Sequence, residues 1–412
     1  MSRFRRRLMG LAQLRESKRK DFVRVEYIEN TSTAYIDTGI IANQNTNYEI
    51  KVQFTKSTGY PYIFGAQQAD RDRRFSLMEG SWNAFYYGAN LHTQEINLSL
   101  TTEQQTSNLV VKKDGLNMYV DGEQKGTFSN TTFTTPSTLT IFTCHYANGQ
   151  VHNNVYKGRL YYFKIYDGTT LIRDYIPMYQ ISTDTYGLWD RVEKKFYTSP
   201  NGVKFTGGAR VVEDANGNLY YIKNYISFAG GGKSLVSIGL KPNETDYYET
   251  KWYFAGSSRS NFMGARTKSN NNDYQCYGYS KALHITYDTG NIVNYSVTYT
   301  NKAYIFKTYF NKKTNQMYGA IYDANKKLLA HNKVAKRGGT ATYEFFIGKQ
   351  AGLNNYYPPV NSRMYYFKYW RNHNLVRDMI PVQSVETSEY GFFDKVNLKI
   401  YYSSGSADFT GA

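Results

Sequence analysis

The sequence predicts an all-β protein of two tandem antiparallel β-sandwich domains, preceded by a short basic N-terminal arm. Three observations carry this. The first is an internal repeat. Residues 159–207 align with 363–411 at a constant offset of 204 without a gap, with about 21 of 49 positions identical. Arg159 pairs with Arg363, Tyr161-Tyr162-Phe163-Lys164 with Tyr365-Tyr366-Phe367-Lys368, and Arg173-Asp174 with Arg377-Asp378. Ile176-Pro177, Tyr186-Gly187, Asp190 and Phe205-Thr206-Gly207 recur in the same register. A repeat this long is a duplicated domain, since solenoid units are far shorter. The second observation is alternation. Tyr48–Phe54 switches between apolar and polar residues, as a half-buried strand does, and Tyr248–Phe254 repeats it at an offset of 200. The third is composition: 42 tyrosines and 17% aromatic residues suit short, packed strands and argue against disorder.

The elements follow in order. Residues 1–21 form the arm, with Arg3, Arg5, Arg6, Arg7, Arg15, Lys18, Arg19 and Lys20 against Glu16. Phe4, Leu8, Leu11 and Leu14 lie at helical spacing opposite most of the arginines, and Gly10 weakens that helix until a partner is met. Arg3, Phe4, Arg5, Arg6, Arg7, Leu8 and Leu11 are the candidate partner-docking residues. A nucleic-acid patch, a membrane-surface helix or a frayed terminus would use the same pattern. Part of the net charge of +17 is concentrated here.

The first domain spans 22–209. Leu109–Val111, Met118–Val120 and Leu139–Phe142 read as strands, and Asp121-Gly122 as a hairpin turn. Leu160–Tyr166 and Leu171–Ile176 form a further hairpin about Asp167-Gly168, and Pro177 should end its strand or place it at an edge. Residues 210–224 read as a connector hairpin. Its Asp214-Ala215-Asn216-Gly217-Asn218 turn resembles the start of a calcium loop but lacks the remaining acidic ligands. The second domain spans 225–412, with strands at Ala303–Phe310, Gln316–Tyr322 and Glu344–Ile347 and a turn at Asp323–Lys326. No signal peptide or membrane span is recognisable, so a protein made in a cytoplasm and not exported by the general route is expected.

Chemistry finds little support. A glycan hydrolase on such a fold needs two carboxylates a few ångströms apart on one strand face. Glu49 and Glu249 each neighbour a lysine and have no acidic partner, Asp70 and Asp72 lie among arginines, and Arg173-Asp174 reads as a local ion pair. Cys144, His145 and His152 match no metal-ligand spacing, and the two cysteines sit at non-equivalent places in the repeats. No catalytic residue, cofactor or metal is expected. Binding is better supported: Trp82, Tyr86, Tyr87, Tyr274, Tyr356 and Tyr357 stand in Tyr/Asn/Ser-rich stretches and are candidates for a glycan-binding rim.

The order YYFKIYDG, L-x-R-D-x-I-P, YGLWD, KFY and FTGG resembles the C-terminal end of concanavalin A-like lectin/glucanase modules of the laminin-G-like branch. The resemblance covers residues 22–412. It implies two jelly-roll domains of the kind that recur in virion proteins of tailed phages. The expected function is a non-enzymatic structural protein of the particle (a fibre, decoration or adhesion component), made in the host cytoplasm and exposed on the virion. Its expected partners are other virion proteins through the arm, host-surface glycans and further copies of itself, with no membrane and no nucleic acid. The alternatives are a stand-alone carbohydrate-binding adhesin, which the missing signal peptide disfavours, and a degenerate glucanase-type hydrolase, which the missing carboxylate pair disfavours.

Overall fold

The structure, a computed structural model, describes residues 21–412 apart from 69–71, 81–82, 90–93, 231–232, 257–259, 266–272, 280, 289, 336–340, 342, 349–357 and 359. The arm lies outside the described residues. The chain divides into two compact units, with the break between Val211 and Val212. Each is a sandwich of two sheets, antiparallel among the described residues except where His145–Tyr146 runs parallel to Ala66–Gln67 and at the parallel bridge of Tyr62 with Val155.

In the first domain one sheet runs, in spatial order, through Glu123–Thr127, Asn117–Val120, Asn108–Asp114, Thr46–Gln53, Gly158–Asp167, Thr170–Gln180, Thr185–Asp190 and Lys195–Tyr197. The other runs through Ile36–Asn43, Thr134–Ile141, Tyr62–Gln67, Arg74–Met78, Ala84–Gly88 and Gln94–Asn97. The second domain repeats this plan: Leu219–Ile222, Asn374–Ser384, Arg363–Arg371, Tyr247–Phe254, Lys302–Asn311, Gln316–Asp323 and Leu328–Ala335 face a sheet containing Ser260–Ala265, Asp273–Tyr279, Ala282–Asp288 and Gly290–Ser296. The strand expected at Glu344–Ile347 is confined to Phe346–Ile347.

Alternation decides which residues meet between the sheets. Along Thr46–Gln53, Thr46, Tyr48, Ile50 and Val52 are buried while Asn47, Glu49, Lys51 and Gln53 face outward. Tyr48 meets Phe64 edge-on at 4.8 Å, and Phe64 lies 4.8 Å from Phe163. Tyr248, the partner of Tyr48 in the repeat, is buried with its hydroxyl 2.8 Å from the Cys276 thiol. Both cysteines are free and buried, and desolvation pushes the Cys144 thiol up to about 12.

The turns follow the sequence. Asp121 and Gly122 both take positive φ, 48° and 84°, as a two-residue hairpin turn of this hand requires. The Asp214 carboxylate accepts the N–H groups of Asn216 and Asn218, each at 2.9 Å, and the Tyr220 hydroxyl at 3.1 Å. These bonds occupy it within its own turn. The strand after that turn, Leu219–Ile222, pairs with Gln383 and its neighbours just as Phe22–Arg24 pairs with Gln180 and its neighbours. The segment read as a connector thus contributes a sheet strand to the second domain.

Pro177 corrects the sequence reading. It lies inside the strand Thr170–Gln180, opposite Leu188, and neither ends the strand nor marks an edge. Its carbonyl accepts from Val25 N–H, so its ring nitrogen points to the same side. On that side the partner changes from Gly158–Asp167, whose last pair is Phe163 with Tyr175, to Phe22–Arg24, whose first is Arg24 with Met178. The missing donor falls in the gap between partners. Pro381 repeats the arrangement, its carbonyl accepting from Lys223 N–H.

Lys113 is buried at 1% exposure and donates to Thr46 O, Asn47 Oδ1 and Gly115 O at 2.9, 3.1 and 2.6 Å. Desolvation lowers its pKa from 10.5 to about 8. Between these values the unfolded chain holds a proton that the folded chain releases, so stability rises with pH in that window. The prediction is a rise in unfolding free energy from pH 8 to about 9.5, below the range where tyrosines ionise. In Lys113→Met, urea titrations at these pH values should show the rise lost.

Candidate functional site

The described residues form a cleft of about 570 Å³ on the outer face of the first domain's second sheet, lined by Tyr60, Tyr62, Arg74, Met78, Tyr86, Glu95, His152 and Asn154. This size lies in the range of small-ligand sites. Strand register builds its floor. Tyr62 pairs with Met78, Ser76 with Tyr86, and Tyr86 with Glu95, so these side chains share one face. A bulge between Tyr62 and Phe64 locally re-aims the strand. The parallel pairing of His145–Tyr146 brings the following loop over the sheet, placing the His152 ring 4.8 Å from Tyr62.

Arg74 is the unusual member. It is 4% exposed, with its guanidinium 3.5 Å from the Tyr86 ring centre and 5.4 Å from that of Tyr62. Its Nε donates to Ser76 Oγ at 2.8 Å and its Nη2 to the Tyr62 hydroxyl at 3.2 Å. A buried charge is costly unless compensated, and the two ring faces supply part of that compensation. Burial first, and the Glu95 carboxylate second, push the Tyr86 hydroxyl up to about 12. Burial also raises Tyr62, with Arg74 opposing.

Of the candidate rim residues, Tyr86 lines this cleft. Tyr87 and Tyr274 do not belong to a rim. Tyr87 is 0% exposed because it follows Tyr86 on an alternating strand and points between the sheets, against Phe128 at 4.9 Å and Phe133 at 5.0 Å. Tyr274 is 5% exposed and packs edge-on against Tyr287 at 5.3 Å within the second core. Trp82, Tyr356, Tyr357 and the docking residues Arg3, Phe4, Arg5, Arg6, Arg7, Leu8 and Leu11 lie outside the described residues. Sequence reasoning missed Tyr60, Tyr62, Arg74, Glu95, His152 and Asn154.

The residues that build the cleft are not duplicated in the second domain's sequence. Gly65, Ser76 and Tyr86 stand opposite one another across three strands, as Gly264, Gln275 and Thr286 do in the second domain. By that register the second domain has Asp273 where the first has Arg74, Asn261 for Tyr62 and Thr286 for Tyr86. On the second domain's other sheet, Lys307, Tyr309, Tyr318, Leu328 and His331 are among the walls of a cleft of about 430 Å³.

The carboxylates are arranged for structure. Glu49 accepts from Lys164 Nζ at 3.1 Å, and Glu249 from Lys307 Nζ and the Tyr366 hydroxyl, each at 3.0 Å. Arg173 and Asp174 are not paired with each other, which corrects the expected local ion pair. Adjacent strand residues point to opposite sides, so Arg173 turns to Asp190 and Glu193 while Asp174 takes Arg191 at 2.7 Å. Among the described residues no group of three or more His, Cys, Asp or Glu is placed to hold a metal, and no helix is long and apolar enough to cross a membrane.

Neither a family model nor a curated protein matches the chain. Among solved structures, the chain is similar to domains LG4-5 of the mouse laminin alpha1 chain, at 10% identity over 90% of this chain and 91% of that one, with a TM-score of 0.28. It is likewise similar to the LG1-3 region of the laminin alpha2 chain, at 9% identity over 85% of this chain and 63% of that one, also with a TM-score of 0.28. The assignment to tandem antiparallel sandwiches accordingly rests on the strand topology of the chain itself.

Proposed function

We propose that the chain is a non-enzymatic structural protein of a tailed-phage particle that is held by its basic arm and presents two sandwiches. The first domain's cleft is its glycan-binding site. The observation that carries the binding part is the cleft itself. Tyr60, Tyr62 and Tyr86 line it beside the polar side chains of Glu95, His152 and Asn154. Aromatic rings stack on the apolar faces of sugars, and a few convergent polar groups fix orientation. A binding role fits better than hydrolysis, because Glu49 and Glu249 are each paired with lysine rather than with a second carboxylate.

The binding part is tested on an array of bacterial-surface polysaccharides, with reducing-sugar release followed in parallel. Binding without release is expected, and release abolished by Glu49→Gln or Glu249→Gln would overturn it. The particle part is tested by truncation. A chain lacking residues 1–20 should keep its melting profile and lose incorporation into particles; incorporation at the wild-type level would remove the arm as anchor. Phe4, Leu8 and Leu11 would contribute up to about 1.5–3 kcal/mol each if fully buried on a partner. Arg3, Arg5, Arg6 and Arg7 offer forked bonds to carboxylates.

A further inference from the structure

We propose that the first-domain cleft selects an acidic saccharide, whose carboxylate sits on Arg74 and whose ring lies among Tyr60, Tyr62 and Tyr86. This rests on the glycan-binding reading and narrows it to a charge class. Three observations lead to it.

Arg74 lacks the counter-charge that arginines of the domain's other sheet have. Arg159 pairs with Glu29, Arg173 with Asp190 and Glu193, and Arg191 with Asp174. Arg74 is more deeply buried, yet its hydrogen bonds go to Ser76 and Tyr62, with a weak contact to Met78 Sδ at 3.9 Å. Among the described residues its Nη1 has no acceptor and no carboxylate forms an ion pair with it. A buried guanidinium lining an open cleft is completed by an anion from outside.

The fold does not need this arginine. The second domain builds the same three strands with Asp273 at the matching position. A residue retained for packing alone would not be expected to reverse its charge in the twin sheet.

The cleft's other groups favour a carboxylate over a polysulfated chain. Glu95 stands at the rim, directly opposite Tyr86 across the strand pair. One guanidinium matches one planar monoanion, and Glu95 accepts from sugar hydroxyls while repelling further negative charge. His152 accepts Asn154 N–H at Nδ1, at 2.9 Å, and its ring lies against Tyr62.

The test uses the full chain and two probe pairs in calorimetry. One pair is a tetrasaccharide of alternating glucuronate and N-acetylglucosamine and its carboxyl-reduced form; the other is sialyllactose and its carboxyl-reduced form. At least one acidic member should bind about tenfold or more tighter than its reduced partner, as a charge-assisted hydrogen bond implies. Arg74→Met should erase that ratio while leaving the weak binding of the reduced form. Tyr60→Ala, at a position 44% exposed, should weaken both members alike. Should Arg74→Met fail to fold, the wild-type ratio and Tyr60→Ala still decide. Equal binding of acidic and reduced forms overturns the charge selection but leaves glycan binding standing. No binding to either pair overturns both for this cleft. Inorganic sulfate binding as tightly as the acidic sugars marks a bare anion hole and also overturns the inference.

Discussion

Asp190→Ala is expected to destabilise the first domain by about 3–5 kcal/mol, the range for removing one partner of a buried charged network. Asp190 is 0% exposed and joins two strands. Its Oδ1 accepts Asp174 N–H at 3.0 Å and Val192 N–H at 2.9 Å, and its Oδ2 lies 3.5 Å from Arg173 Nε. Alanine would leave the buried Asp174 N–H and the part-buried Val192 N–H unmet and the Arg173 guanidinium with Glu193 as its remaining carboxylate. The second domain repeats the knot: Asp394 Oδ1 accepts Asp378 N–H at 3.0 Å and Val396 N–H at 3.1 Å, with Arg377 at 3.6 Å. The chain has two cores, so urea unfolding should be read as two transitions rather than one. Asp190→Ala should move one and Asp394→Ala the other. Asp190→Asn, which keeps an acceptor oxygen, should cost less than alanine. A shift below about 1 kcal/mol in both alanine variants would mean that the network is not energetically important.

This knot was half legible. The constant offset ties Arg173, Asp174 and Asp190 to Arg377, Asp378 and Asp394 before any coordinates are considered. What one strand cannot reveal is the exchange of partners, because it depends on which neighbour each side chain faces. The same limit explains Pro177. Its lack of an N–H reads as a strand end until two different partners are seen to meet at that point. Short-period signals translated well: Tyr48–Phe54 alternates as expected and the hairpin at Asp121-Gly122 forms where turn chemistry places it, while the turn expected at Asp167-Gly168 falls one residue later, at Gly168-Thr169, with Asp167 paired to Thr170.

The cleft was nearly invisible for a related reason. Tyr62, Arg74, Tyr86 and Glu95 come from four strands, and the loop carrying His152 and Asn154 arrives from a fifth region. Read linearly, Arg71–Arg74 is a charged run near Asp70 and Asp72, and such runs are ordinarily solvated. Register alone converts its last residue into a buried cation. The error over Tyr87 was avoidable, since Phe85, Tyr86 and Tyr87 lie on one strand and alternation admits only the middle ring to the outer face. Tyr274 stands two residues before the fully buried Cys276 on one strand and shares its inward face, a placement that its Asn-rich approach obscured.

The second large effect is expected at Trp252, where two substitutions separate packing from polarity. Trp252 is 0% exposed, stacked on Phe228 at 5.0 Å and tilted against Phe262 at 5.0 Å. Trp252→Ala should cost about 3–5 kcal/mol, because a rigid aromatic core closes poorly around so large a void. Trp252→Phe should cost far less than its lost volume suggests. The indole N–H is buried with no acceptor among the described residues, a burden of about 1–3 kcal/mol that phenylalanine removes. The first domain tolerates a much smaller residue here, since Val52 is the match at an offset of 200 and is also 0% exposed. Val52 is nonetheless part of the closed first core, so the tryptophan belongs to one domain's packing and not to the fold. Calorimetric unfolding of both variants provides the measurement. Equal losses for Phe and Ala would mean that the indole N–H has a partner after all and that the ring's polar edge, not its bulk, holds the second core.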